Sequence, residues 1–99
     1  MIARFRLSGD KYGDASERAV IRDAQRLLAE AIARAGVGEF DGNEFGAGEA
    51  ILYAYGPDAD ALFAVMAPTL RGLPFRPARV LLRYGSASAA SVAERVVDL

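Results

Sequence analysis

The stretch GEFDGNEFGAGE, Gly38 to Glu49, decides what this chain folds into. Four carboxylates and two phenylalanines stand among closely spaced glycines. It can be read as a calcium loop, as the floor of an active site, or as two strands and their turn. The calcium reading fails on ligand positions. An EF-hand loop needs oxygen ligands at positions 1, 3, 5 and 12, with glycine at 6. Counting from Asp41 gives Asn43 and a correct Gly46, but Phe45 stands at the fifth position and Leu52 at the twelfth. The phosphate reading fails as well. Gly36-Val37-Gly38 and Gly46-Ala47-Gly48 precede strand-like segments rather than opening a helix, so neither offers helix N–H groups to a phosphate. What remains is a pair of strands, Val37 to Glu44 and Glu49 to Tyr55, joined near Phe45 to Gly48. Phe40 then points to the core, and Glu39, Asp41 and Asn43 point away. The glycines make the turn and let a helix approach.

Outward from this hairpin the chain alternates between the two periodicities of regular structure. Ile2 to Ser8 places Ala3, Phe5 and Leu7 on one side and Arg4, Arg6 and Ser8 on the other, a half-buried strand. SGDKYGD is a turn. Asp14 stands three residues before Glu17, a capping-box spacing that opens a helix running to about Ala35. Its expected apolar stripe is Val20, Ala24, Leu27, Leu28, Ala31 and Ala35, with Ile32 beside them. A second helix follows over GPDADALFAVMAPTLRG, with Pro57 at its first position, Asp58 and Asp60 at its positive end and Gly72 as its stop. Leu62, Val65, Met66 and Leu70 form its buried stripe. Pro68 cannot donate to Ala64, so an irregular last turn is expected there. LPFRP is a stiff connection, and Arg79 to Tyr84 alternates again. The tail SASAASVAERVVDL reads as an edge strand on Val92, Val96 and Val97, with a helix as the alternative.

The order β-α-β-β-α-β with a fifth strand resembles the ferredoxin-like split βαβ architecture. That resemblance spans nearly the whole chain as a single domain, residues 1–99. It implies an α+β two-layer sandwich with an antiparallel sheet ordered 4-1-3-2 and two helices on one face, to which the tail's own residues would add a fifth C-terminal strand at an edge. The fold hosts many unrelated functions and implies none of them. DGNEFG followed by LYAYGPDAD also resembles segments of small bacterial proteins, a likeness that carries no activity.

Composition narrows the chemistry further. Ninety-nine residues, 53% hydrophobic and 25% charged, suit one ordinary globular domain. A net charge of −1 gives no overall pull toward nucleic acid or anionic membrane. Without His or Cys the chain lacks the commonest general base, thiol nucleophile and transition-metal ligands. Ser8, Ser16, Ser86, Ser88 and Ser91 have no histidine to activate them, and Lys11, the single lysine, lies in a polar turn. Carboxylate chemistry on Glu39, Asp41, Glu44 and Glu49 is the one catalytic route left, and such residues on neighbouring strands more often form a solvated edge. The expectation is no catalytic residue, no cofactor and no metal. With no signal-like or spanning apolar run, a cytoplasmic protein is expected.

The binding expectation comes from combining the strands. If Ala3, Phe5, Leu7, Ala50, Leu52 and Ala54 face the helices, then Arg4, Arg6, Ile51, Tyr53 and Tyr55 face out with Arg79, Leu81 and Arg83. A sheet ordered 4-1-3-2 sets Arg79 and Arg83, then Arg4 and Arg6, then Tyr53 and Tyr55, then Glu39 and Asp41 side by side. Three readings fit this face. Arginines can lie across tyrosine rings within one chain. Alternatively, Arg4, Arg6, Asp41, Tyr53, Tyr55, Arg79 and Arg83 form a surface for a protein partner or a second copy, Tyr and Arg being interface residues. The last reading is single-stranded nucleic acid or another anion on the same face. Tyr53 and Tyr55 have the stacking spacing for it, but EAILYAYG lacks the basic-Gly-aromatic start of an RNA-recognition strand.

Overall fold

Burial alternates with the side chains from Met1 to Leu7 in the computed structural model, which describes residues 1–9, 11–84 and 93–99. Ala3, Phe5 and Leu7 are buried while Arg4 and Arg6 are exposed, so β1 (Ile2–Arg6) has one dry face and one wet face. After the turn, whose Asp10 lies outside the described residues, α1 (Ala15–Ala35) opens on a capping box. Asp14 Oδ1 accepts the Glu17 N–H at 2.8 Å, and Glu17 Oε1 accepts the Asp14 N–H at 3.0 Å.

Glu17 does more than cap. Its carboxylate also accepts the N–H groups of Ser8 and Gly9, at 2.8 and 2.9 Å, and the Ser8 hydroxyl at 3.1 Å. One buried charge thus ties the end of β1 to the start of α1. That anchor explains why the helix is rolled relative to the expected stripe. With Glu17 inward, the residues below it are Ile21, Ala24, Leu28 and Ile32, all buried. Val20 and Leu27, expected in the core, are 38% and 46% exposed.

The hydrogen bonds from the Asp14 and Ser8 amides hold the Glu17 carboxyl below its usual pKa, outweighing the opposing effect of burial. A carboxyl depressed in the folded state stabilises the fold above its unfolded pKa, about 4.3, and loses that contribution as pH falls through the lower folded value. Gln at position 17 would set an NH2 donor against backbone donors. Glu17→Gln should therefore lower the melting temperature by roughly 10 °C near neutrality. The gap from wild type should shrink as pH drops below about 4. Thermal melts of both proteins across that range check it, and a gap independent of pH would refute the charge's role.

The decisive hairpin is tighter than its composition suggests. Strands β2 (Glu39–Gly46) and β3 (Glu49–Tyr55) are joined by Ala47 and Gly48 alone. Both have positive φ, 52° and 77°, as two-residue hairpin turns with the sheet's own twist require. Phe45 and Gly46, expected in the turn, are instead paired with Ala50 and Glu49. The pairing also shifts register between Phe40 and Gly42, so Asp41 bulges out of the ladder. Beyond the bulge Asn43 stands opposite the buried Leu52, and Glu44 takes the outward register in its place. Asn43 was expected outward; the extra residue at the bulge reverses the alternation. Close approach at Gly38 is to the backbone of Tyr55 and Gly56 rather than to a helix.

Helix α2 (Ala59–Gly72) begins after Asp58, whose carboxylate accepts the Ala61 N–H at 3.1 Å; Pro57 therefore precedes the cap instead of starting the helix. The helix continues past Pro68 to Gly72. Arg76 donates to the carbonyls of Leu73, Phe75 and Arg71, a cation placed where the helix end is negative. Strands β4 (Ala78–Tyr84) and β5 (Ala93–Asp98) complete the chain. The tail is thus a strand over its described part, while Val92 and the serines at 86, 88 and 91 lie outside the described residues.

The result is an α+β protein with two helices and one five-stranded antiparallel sheet of order β2-β3-β1-β4-β5. Its βαββαβ layout fits a ferredoxin-like fold. From the opposite edge the order reads β5-β4-β1-β3-β2, so β5 lies outside β4 rather than beside β2. Phe5, Leu28, Leu52, Leu62, Met66 and Leu82 are fully buried in a single core between sheet and helices, and Val65 is only partly buried against it. No helix among the described residues is long and apolar enough to cross a membrane.

Candidate functional site: the helix-free face

Directly opposed residues in antiparallel strands share a face. Tyr53 stands opposite Ile2, Ile2 opposite Leu81, and Leu81 opposite Val96. They form an apolar row across four strands, with Tyr53, Ile2 and Leu81 half-buried and Val96 55% exposed. The next row reads Glu44, Ile51, Arg4, Arg79 and Asp98 from one edge to the other. Beyond it Glu49 opposes Arg6. On the other side Tyr55 opposes Glu39, and Arg83 opposes Glu94.

The seven candidate binding residues all belong to this face, but not to one site. Arg4, Arg6 and Arg79 line a cleft of about 340 Å³ with Glu49, Pro77 and Ala78. Asp41, Tyr53 and Tyr55 line a second depression of about 380 Å³ with Asn43 and Glu44. Arg83 is elsewhere, its Nε 3.4 Å from Glu94 at the β5 edge.

No arginine stacks on Tyr53 or Tyr55 among the described residues. Cation–ring contacts occur at Lys11 over Tyr12 and Arg71 over Phe63, away from this row. The tyrosines meet acids instead. Tyr53 donates its hydroxyl to Glu44 Oε2 at 3.2 Å, and burial followed by this bond pushes its phenol pKa up. Tyr55 is 57% exposed. On the helix side Tyr84 donates to Asp60 Oδ1 at 2.6 Å, tying β4 to the start of α2, and that bond raises its pKa.

Sequence reasoning missed three contributors. Ile2 completes the apolar row, Glu44 replaces Asn43 beyond the bulge, and β5 adds Glu94, Val96 and Asp98. The paired valines of AERVVD were a usable signal for β5, but only its partner strand assigns its outward residues. The columns therefore run acidic, aromatic, basic and acidic again, not in one gradient. Among the described residues no group of three or more acidic side chains is placed to hold a metal ion. No family model, curated protein or solved structure matches the chain.

Proposed function

We propose that the protein is a small non-catalytic interaction module whose helix-free face takes another protein chain, a second copy being the first occupant to test. The apolar row Tyr53–Ile2–Leu81–Val96, bounded by charged rows, carries this reading. An apolar centre within a polar rim is the anatomy of a docking surface, and Tyr and Arg are its commonest anchors. A second copy suits the strand order, because β1 is the middle of five strands. A two-fold axis along β1 lays β3 of one copy over β4 of the other. Tyr53 then meets Leu81 and Tyr55 meets Arg83, while β2 of one copy lies over β5 of the other. Their acidic residues face one another at the solvated rim, where salt screens the repulsion.

A nucleic acid is less suited to this face. Bases stacked on Tyr53 and Tyr55 would bring their phosphates toward Glu39, Asp41 and Glu44. The test is sedimentation with thermal melts. Tyr53→Ala combined with Leu81→Ala should convert a dimer to a monomer, since such anchors can each contribute about 2 kcal/mol of binding. A wild type that is monomeric and captures no protein partner would refute the module reading. A monomer that captures a different protein, lost in the double variant, would replace the second copy as occupant.

A further inference from the structure

Three cations converge where the sheet offers little to neutralise them. Arg4 and Arg79 are direct cross-strand partners, an arrangement in which like charges repel. Arg6 lies two residues along the same face, and the three arginines line one concave cleft of about 340 Å³. Glu49 lines the cleft and reaches Arg4 at 3.6 Å. Asp98 stands opposite Arg79 on β5, outside the cleft lining and with no ion pair to it among the described residues. Among the described residues, Arg6 and Arg79 make no side-chain hydrogen bond or ion pair. Three positive charges stand against one negative in the cleft lining, and with Asp98 beside Arg79 the corner still keeps a net positive charge in a chain of net charge −1.

The backbone holds the cluster in place. Gly48 sits at φ 77°, and a Cβ there would stand 3.7 Å from the Arg6 guanidinium carbon, so the turn that joins β2 and β3 packs against Arg6. The carbonyl of Pro77 accepts the Arg6 N–H at 3.0 Å, which fixes the cleft's other wall to β1. A like-charged pair on adjacent strands, a third cation beside it and a shaped cavity are what a doubly charged oxyanion would satisfy. Guanidinium groups pair with such oxygens in planar, often bidentate fashion.

We infer that the Arg4–Arg6–Arg79 cleft is a binding site for a small dianionic oxyanion, a phosphate monoester or a dicarboxylate. Glu49 stands on the β3 side of the cleft, opposite Arg6. The cavity is at the small end of ligand sites and has room for the charged group with a short organic body. The site is formed within one chain, but its Arg4–Arg79 row borders the apolar row on the same face, so a second copy seated across β1 would cover it.

Inorganic phosphate and succinate are the probes, each titrated against sodium chloride at matched ionic strength, with thermal melts and arginine side-chain NMR as readouts. Either dianion should raise the melting temperature saturably, with half-effect near or below about 1 mM, and should shift the Arg6 and Arg79 signals. The probe that saturates identifies the oxyanion class. Arg79→Gln should weaken binding by about tenfold or more, because it removes a charge-assisted pair. Without anion the same variant should melt at or above the wild-type temperature, since it relieves repulsion with Arg4. Arg6→Gln serves in its place if that variant does not fold. Equal responses to phosphate, succinate and chloride, or undiminished binding in the variant, would overturn the proposal. Tyr53→Ala with Leu81→Ala, which removes a second copy, should leave anion binding intact or tighter. An unchanged mass then marks failure of the docking reading, and absent anion binding in the monomeric variant marks failure of this site.

Discussion

Gly38→Ala should lose about 4 kcal/mol or more of stability, the largest effect expected of any single methyl group in this protein. Two causes act together. Gly38 has φ 149°, a conformation that side-chain-bearing residues rarely adopt. A Cβ there would also overlap the Tyr55 carbonyl oxygen, and the α-carbon of Gly56 lies 2.8 Å away. Those obstacles are backbone, so no rotamer change relieves them. Gly56→Ala separates the causes, because its Cβ would strike the Val37 carbonyl without the unusual φ. Gly36→Ala is the control. It too has a positive φ, 66°, but nothing lies within 4 Å of its added Cβ, so the cost there should be about 1 kcal/mol. Urea unfolding of the three variants measures the difference. Equal losses at 36 and 38 would mean that the backbones at Gly38 and Tyr55–Gly56 do not approach so closely.

Leu52→Ala should cost about 2–5 kcal/mol, as leucine truncations in closed cores do. Leu52 is fully buried, opposite Ala3 on β1 and Asn43 on β2. Its small neighbours Ala3, Ala50 and Ala54 let the helices pack closely, and no large flexible side chain on β3 can fill the space. The outward comparison is Tyr55→Ala, which removes a larger side chain from an exposed position and should change stability by no more than about 0.5 kcal/mol. Chemical denaturation of both variants decides the matter. A loss below about 1 kcal/mol for Leu52→Ala would invert the register of β3, since a one-residue slip exchanges the faces. Tyr53 and Tyr55 would then be core residues, and the docking face would vanish with them.

These two variants mark where local pattern and tertiary contact meet. Alternation in IARFRL and ILYAY assigns Phe5 and Leu52 inward and Arg4 and Tyr53 outward, because strand side chains repeat every two residues whatever the neighbours are. The Asp14–Glu17 box was legible for the same reason, being closed within one helical turn. The face as a set of residues was therefore readable. Its partition into an arginine cleft and a tyrosine depression was not, because it depends on Arg4 standing beside Arg79 while Arg83 is paired with Glu94.

Sequence alone determined the element order, the inward and outward faces of β1, β3 and β4, the α1 cap and the absence of histidine and cysteine chemistry. All of these follow from spacing within a few residues or from composition. Tertiary structure decided the roll of α1, set by Glu17 reaching back to Ser8 and Gly9, which exposes Val20 and Leu27. It placed the bulge at Asp41, which exchanges Asn43 for Glu44, and the register of β5, which brings Glu94 and Asp98 to the arginines. It also required Gly38 where the backbone entering β2 closely approaches the backbone leaving β3, a contact that no local motif announces. Each of these depends on backbone groups brought together from distant parts of the chain, and a local pattern carries no record of which distant group arrives.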